Sequence, residues 1–286
     1  MTSYKTLLAC VDDARTASAV LDLAFRVGAS HGAHVAALHV RTDPAAAIPL
    51  VGEGMSGAMV EEMMAMAERQ ATEQAKVLRD LFEATCRDRG IPIQASPSGT
   101  PGVSASWREL VGREEEQVPQ AGRLSDLMVI ARPAAEREPP AIMSLNAALL
   151  ESGRPLLLAP PKLPATVGRH VAVFWNGSAE ASRAVAFAMP FLTAAQQVSI
   201  FSAHEEKSAA PAELADYLAW HGIKAVQQCV TGAASVGQGL LAEAETAGAD
   251  LAVMGAYTHS RLRQLILGGV TRHVLQSAIL PVLLSH

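Results

Sequence analysis

The sequence predicts an α/β fold with two tandem doubly wound domains, each with a five-stranded, mostly parallel sheet between helices. Three observations support this prediction: short continuous apolar segments recur, Ala-rich helical segments separate them, and the second half repeats the pattern of the first. Continuous apolar strands are typical of parallel sheets buried on both faces. Their alternation with helices implies right-handed crossovers and a layered sandwich.

The internal repeat rests on three blocks that occur in the same order in both halves. The matched blocks are Thr6–Asp12 with His170–Asn176, Ser125–Ala131 with Ala249–Gly255, and Arg154–Ala159 with Leu280–Ser285. The Pro-rich segment Pro160–Pro164 between the copies reads as a stiff, polyproline-like linker. The predicted domains therefore cover residues 1–162 and 168–286.

Each domain contributes five predicted strands. In the first they are Lys5–Val11, His34–Val40, Ile91–Ser96, Asp126–Ala131 and Pro155–Ala159. In the second they are His170–Trp175, Val198–His204, Lys224–Val230, Asp250–Gly255 and Pro281–Leu284. Helices are predicted at Ala14–Ala29, Met59–Arg89, Ala179–Leu192, Ala212–His221 and Thr271–Ser277.

One insertion, Pro44–Ala58, precedes the long helix of the first domain and breaks the symmetry of the repeat. Five methionines crowd this region, namely Met55, Met59, Met63, Met64 and Met66. We favour soft core packing of these side chains against the sheet or the partner domain. The alternative is an adaptable binding lip, a use to which flexible thioethers are suited.

Composition excludes several classes of partner. The net charge is −5 and no Lys/Arg run occurs, which argues against a nucleic-acid partner. No apolar window is long enough to span a membrane, and the chain starts directly with a strand-like segment, so we expect a cytoplasmic protein. The cysteines Cys10, Cys86 and Cys229 lack disulfide or zinc spacing, and Cys10 reads as a small core residue.

The loop after the fourth strand of the second domain, Gly255–Thr271, is the strongest candidate for a ligand site. Ligands of doubly wound sheets lie at the carboxyl ends of the strands. Gly268 and Gly269 stand just before a helix, where exposed N–H groups and the helix dipole favour phosphate. Side-chain donors in the same loop are Ser260, Arg261 and Thr271.

This loop resembles the universal stress protein signature, Gly-x2-Gly-x9-Gly-(Ser/Thr). Gly255 matches the glycine that closes the fourth strand, Gly268 matches the third glycine, and Leu267–Leu275 is similar to the start of the family's C-terminal helix. Because the resemblance extends to both halves, the chain is identified as a tandem two-domain member of that family. The resemblance implies a Rossmann-like, adenine nucleotide alpha hydrolase-like fold and a role in the stress response.

The resemblance also implies a site for ATP or another adenine nucleotide, with or without Mg²⁺. It assigns the nucleotide to Asn176, Gly177, Gly255, Thr258, His259, Ser260, Arg261, Gly268, Gly269, Val270 and Thr271. Three residues depart from the family pattern: Thr258 replaces the second glycine, Gly269 stands where Ser/Thr is expected, and Asn176 replaces the strand-one Asp. Asparagine still forms hydrogen bonds but carries no charge, so an empty site remains the alternative.

The first domain shows the complementary pattern. It retains Asp12 and Asp13 after its first strand, but its loop Ala131–Pro140 has no glycine and offers few N–H donors. We therefore expect no standard triphosphate site there and interpret Asp12 as a strand-end cap or a vestige, ahead of a contact to another ligand. Arg132 either meets an anion or pairs with a glutamate of its own loop.

Three functions remain open. We favour a non-catalytic regulatory protein that binds a nucleotide, because no nucleophile–base pair is recognisable. The second function is that of a degenerate member that acts through contacts with an unknown protein partner, and the third is a slow ATPase. Family members dimerise through the fifth strand, so we expect Pro155–Ala159 and Pro281–Leu284 to pair within one chain as a pseudo-dimer. A homodimer of chains also remains open.

Overall fold

The structure, a computed structural model, describes residues 3–43, 57–97, 99, 101–133, 139–203, 210–231, 234–256 and 269–286. The elements of the first half are β1 (Thr6–Cys10), α1 (Ala14–His31), β2 (His34–Thr42), α2 (Gly57–Asp88), β3 (Ser104–Gly112), α3 (Glu114–Gly122), β4 (Leu127–Ala131), α4 (Pro139–Glu151) and β5 (Leu156–Ala159). Those of the second half are β6 (His170–Phe174), α5 (Ala179–Ala194), β7 (Gln197–Ala203), α6 (Pro211–Trp220), β8 (Ala225–Val230), α7 (Val236–Thr246), β9 (Leu251–Gly255), α8 (Gly269–Ser277) and β10 (Val282–Ser285). Strands alternate with helices throughout, which confirms the predicted α/β fold.

The chain divides into two compact units. The first, here the N-unit, comprises Lys5–Val129 and Pro139–Ser152. The second, here the C-unit, comprises Met1–Tyr4, Ile130–Glu138 and Gly153–His286, so β5 belongs to the unit that contains the second half. The domain boundary drawn from the sequence repeat stays a prediction.

The N-unit is built on parallel strands in the order β3-β2-β1-β4. The register runs from Thr6↔His34 to Cys10↔Leu38 between β1 and β2. Phe25 of α1 and Phe82 of α2 pack with ring centroids 6.4 Å apart over this sheet. Cys10 is buried as expected for a core residue, and burial raises the pKa of its thiol well above the ordinary value.

The predicted third strand, Ile91–Ser96, is wrong: the structure places this strand at Ser104–Gly112. Pro92 has no N–H to donate to a ladder, and the segment makes only an isolated bridge, Ile93↔Ala105. The true strand contains the charged pair Arg108 and Glu109, so its composition does not resemble a buried strand. Arg108 and Glu109 are both exposed on this edge strand, so neither charge is buried.

The predicted core packing of the methionines is also wrong for the residues that the structure describes. Met59, Met63, Met64 and Met66 are exposed on the first turns of α2, and Met55 lies outside the described residues. The buried side chains of α2 come from its second half, namely Ala75, Leu78, Phe82 and Cys86. Only that half of the helix presents an apolar face at helical spacing to the sheet.

The C-unit has β9 and β6 at its centre, with the parallel order β10-β9-β6-β7-β8. β5 pairs antiparallel with β10 through Leu158↔Val282, Leu157↔Leu283 and Leu156↔Leu284, which confirms the expected pairing of the two fifth strands. Tyr4, from the start of the chain, is buried in this unit. Its hydroxyl donates to the carbonyl of Phe187 at 2.7 Å, and its ring packs 5.4 Å from that of Phe191.

One aspartate in each half explains why the Asp-Leu blocks repeat. The Asp126 carboxylate accepts from the N–H groups of Lys5 and Thr6, which open β1. The Asp250 carboxylate accepts from the N–H groups of Arg169 and His170 at the start of β6. Each carboxylate thus links the start of the fourth strand of its half to the start of the first strand. It accepts hydrogen bonds from backbone N–H groups where the first strand begins.

His34 makes the stability of the N-unit dependent on pH. Its ring nitrogens lie 2.8 Å from Ser104 Oγ and 2.9 Å from Ser106 Oγ, and burial lowers its pKa below 6.5. Below pH 6.5 the unfolded state therefore binds more protons at His34 than the folded state does. The contribution of neutral His34 to the free energy of unfolding is fully present above that pH and is lost as the pH falls.

We expect the melting temperature to fall between pH 7.5 and pH 5.5, and to fall less in His34→Gln. The matched control, His221→Gln, removes an exposed histidine and should retain the wild-type slope. Equal slopes in the wild type and His34→Gln would contradict this assignment.

Candidate functional site

The carboxyl ends of β6 and β9 lie side by side in the C-unit. Their parallel register, which ends at Phe174↔Met254, places Asn176 and Gly177 at the same edge of the sheet as Gly255. These are three of the residues that the sequence assigned to the nucleotide. The described geometry therefore brings the strand-one loop and the start of the strand-four loop together, where ligands of doubly wound sheets lie.

The strand-one loop is a tight turn that caps α5. Asn176 Oδ1 accepts from the N–H of Ser178 at 3.1 Å, and Gly177 has a φ of +70°. Ser178 Oγ then accepts from the N–H of Ala181 at 3.1 Å as the N-cap of α5. An asparagine and a following glycine suit this turn because both stabilise local loop geometry, so the pair has a structural role besides any contact with a ligand.

Gly255 is required by the packing of the helix that follows this turn. A Cβ atom at position 255 would lie 2.3 Å from the backbone nitrogen of Ala181 and 2.5 Å from the carbonyl carbon of Glu180. The first turn of α5 therefore passes directly over the end of β9. The glycine that the family signature assigns to the ligand loop has a packing function of its own in this chain.

The first residue of α8, Gly269, is exposed. A Cβ atom added there would meet no atom of the described residues within 4 Å. The first N–H groups of a helix have no intrahelical acceptor, and they carry the positive end of the helix dipole. Val270 is half-buried, whereas Thr271 is only 5% exposed and packs on the buried face with Val274 and Leu275.

Arg132 occupies the opposite end of the same helix. Its guanidinium Nη1 donates to the carbonyls of Leu275 and Gln276 in the last turn of α8. Burial lowers the pKa of Arg132, and a cation at this position compensates the negative end of the helix dipole. Among the described residues, the partners of Arg132 are these helix carbonyls. Glu136 and Glu138 lie outside the described residues, so both alternatives for Arg132 stay predictions.

Five of the predicted ligand residues lie outside the described residues. They are Thr258, His259, Ser260, Arg261 and Gly268. Their contact with a nucleotide stays a prediction from the sequence.

In the N-unit, the loop after β1 is occupied by contacts within the protein. Asp13 is the N-cap of α1 and accepts from the N–H of Arg15 at 2.7 Å. Thr16 Oγ1 donates to the Asp12 carboxylate at 3.4 Å, and the side-chain amide of Gln74 donates to the Asp12 carbonyl at 2.6 Å. Asp13 is thus the helix cap, while the interpretation of Asp12 as a strand-end cap or a vestige stays a prediction. The contact of α2 with this loop comes from Gln74, a residue that sequence reasoning missed.

A cavity of about 220 Å³ opens beside the strand-one loop of the C-unit, between α5 and α6. Trp175, which directly precedes Asn176, contributes one wall, and Tyr217 of α6 contributes another. Sequence reasoning missed this cavity. The available signal was a pair of aromatic residues, one at a strand end and one on an otherwise Ala-rich helix.

Within the part of the chain that the structure describes, no group of His, Cys, Asp and Glu side chains is arranged to hold a metal ion. None of the described helices is both long and apolar enough to cross a bilayer.

The family comparison identifies the second half of the chain. Residues 169–286 match the model of the universal stress protein family. This match covers β6 to β10 and all three strand-end residues Asn176, Gly177 and Gly255. No curated protein sequence matches the chain.

Solved structures show that the fold extends over the whole chain. A universal stress protein from Archaeoglobus fulgidus DSM 4304 matches 98% of this chain and 97% of its own, with 17% identity and a TM-score of 0.66. A functionally unknown protein from Pseudomonas aeruginosa PAO1 matches 99% of this chain and 93% of its own, with 13% identity and a TM-score of 0.56. The cytoplasmic domain of a prokaryotic cation chloride cotransporter matches 99% of this chain and 95% of its own, with 12% identity and a TM-score of 0.50. Proteins of different function thus share this fold, and function has to be argued from the site.

Proposed function

We propose that this chain, whose residues 169–286 match the universal stress protein family, is a non-catalytic regulatory protein whose C-unit binds an adenine nucleotide. The phosphates lie at the N-terminus of α8, against the N–H groups of Gly269 and Val270. The strand-end residues Asn176, Gly177 and Gly255 face the nucleoside part of the ligand. The loop between β9 and α8 supplies the remaining contacts.

The exposed first residue of α8, Gly269, is the observation that carries the proposal. A phosphate needs backbone N–H groups that it can approach closely and a positive local field. Gly269 itself brings no side-chain atom to that approach, and Arg132 lies at the far end of the helix, against its last carbonyls. The first turn of α8, as far as the structure describes it, carries no acidic side chain that would oppose an anion.

Regulation follows from binding if the ligand has different affinities for two states of the protein. We assign no chemical step to the nucleotide. The carboxylate of Glu180, a residue that lies beside Gly255 in the first turn of α5, is paired with Arg183 at 2.9 Å. Occupancy of the C-unit would then change the stability of the β9–α8 region and of any surface that depends on it.

Thermal melting with and without millimolar ATP–Mg²⁺ tests this proposal. We expect a clear rise in melting temperature for the wild type, since ligand at 100 times its Kd adds about 2.7 kcal/mol. Gly269→Asp should abolish the rise because its carboxylate occupies the phosphate position, while an acid in the first turn remains compatible with the helix.

The matched control is Gly269→Asn, which has nearly the same shape without the charge and should keep a substantial part of the shift. Loss of the shift in both variants would indicate that bulk, not charge, blocks the site. Absence of a shift in the wild type would contradict the proposal.

A second candidate function, binding of a protein partner, is favoured by the surface of α6. Trp220 is 89% exposed, and Tyr217 and His221 lie beside it in ring contact with each other at 4.9 Å. Val226 of the edge strand β8 is also exposed. Exposed aromatic residues of this kind are enriched at protein interfaces. If the nucleotide experiment fails, this surface is where a partner would be sought.

A further inference from the structure

The cavity between α5 and α6 has walls of mixed chemistry. Trp175 and Tyr217 supply aromatic rings, Val185 and Leu214 supply aliphatic surface, and Ser182 supplies a hydroxyl. The acidic side chain among the described lining residues is that of Glu213, in the first turn of α6. All of these lining residues belong to the C-unit.

The helices α2 and α6, which follow the second strand of each half, differ in length. Both helices end just before a glycine with positive φ, Gly90 or Gly222, which is followed by an isoleucine. α6 has 10 residues, against 32 in α2. The position that lies as far before Gly222 as Gln74 lies before Gly90 therefore falls ahead of α6. The N-unit uses Gln74 to close its strand-one loop. No described residue of α6 reaches the equivalent place.

The polar groups of the cavity favour a cation over an anion. The Glu213 carboxylate forms no ion pair with any described residue, and it would repel a phosphate. Tryptophan and tyrosine faces attract ammonium groups through the ring quadrupole. The net charge of −5 adds a weak, long-range attraction of the same sign.

We propose that this cavity binds a small organic ammonium cation. The ammonium group lies against the rings of Trp175 and Tyr217 and beside the Glu213 carboxylate. The alkyl part of the ligand rests on Val185 and Leu214. None of the lining residues is one that the proposed function assigns to the nucleotide, and choline binding is measured without nucleotide.

Choline and its neutral isostere 3,3-dimethyl-1-butanol test the role of charge. The indole N–H signals of Trp107, Trp175 and Trp220 are followed by NMR during each titration of the full-length protein. Choline should shift the Trp175 signal in a saturable manner and leave that of Trp107 unchanged. The neutral isostere should bind about tenfold more weakly, because it keeps the shape and loses the cation. Equal binding of the two compounds, or no saturable Trp175 shift with choline, would overturn the proposal.

Charge variants on one helix test the role of Glu213. Glu213→Gln should weaken choline binding about fivefold, whereas Asp216→Asn, the same change in charge on the same helix outside the cavity, should have little effect. Tyr217→Leu should also weaken binding, with the exposed Trp220→Leu as its control. If Asp216→Asn weakens binding as much as Glu213→Gln, the attraction is only that of the net charge and the assigned site is wrong.

Discussion

Replacing Gly255 with alanine is expected to destabilise the protein by about 3 kcal/mol, the upper end of the cost of overpacking a well-packed site. The added methyl group would lie 2.3 Å from the backbone nitrogen of Ala181 and 2.5 Å from the carbonyl carbon of Glu180. Both atoms belong to the first turn of α5, so relief requires the helix to move. A flexible side chain in the same place would simply rotate away.

Gly269→Ala is the matched control for this prediction. A Cβ atom at position 269 meets no atom within 4 Å in the part of the chain that the structure describes, and alanine loses less conformational entropy on folding than glycine. We expect this variant to be as stable as the wild type or slightly more stable. Urea unfolding of both variants makes the comparison, and equal stability of Gly255→Ala and the wild type would contradict the close approach of α5 to β9.

Replacing Asp250 with alanine is expected to cost about 3 kcal/mol. The carboxylate is 6% exposed and accepts from Thr166 Oγ1 and from the N–H groups of Arg169 and His170. Its loss leaves two backbone donors without their acceptor at the start of β6. Hydrogen bonds to charged groups contribute more than neutral ones, and an unsatisfied buried donor costs about 1–3 kcal/mol.

The repeat supplies the control, since Asp126 makes the equivalent bonds to Lys5 and Thr6 in a more exposed setting. Water can replace the lost acceptor there, so Asp126→Ala should cost about 1 kcal/mol. The two variants are compared by urea unfolding. A cost for Asp126→Ala as large as that for Asp250→Ala would show that burial is not the cause.

Most strands were predictable because each is a short, continuous apolar segment buried on both faces. β6 and β9, with the sequences His-Val-Ala-Val-Phe and Leu-Ala-Val-Met-Gly, are typical. The third strand was not predictable in this way, since β3 lies at an edge and includes Arg108 and Glu109. Local composition favoured the more apolar Ile91–Ser96 as the strand. In the structure, Ser104–Gly112 is the segment that pairs with β2.

The candidate site was predictable where local sequence determines it. Asn176 and Gly177 follow a strand and precede a helix cap, so their turn could be inferred. The packing role of Gly255 could not, because it depends on how closely α5 approaches across the sheet. The cavity and the closing contact of Gln74 escaped for the same reason: their parts come from segments far apart in the chain.

A residue-resolved NMR titration with ATP tests the central claim most directly, because it locates the ligand as well as detecting it. We predict that the amide signals of Asn176, Gly177, Gly255, Gly269 and Val270 shift together with one affinity, while those of Asp12 and Asp13 in the N-unit stay unchanged. Shifts that cluster at Asp12 and Asp13, or no shifts at the α8 N-terminus at millimolar ATP, would contradict the assignment of the nucleotide to the C-unit.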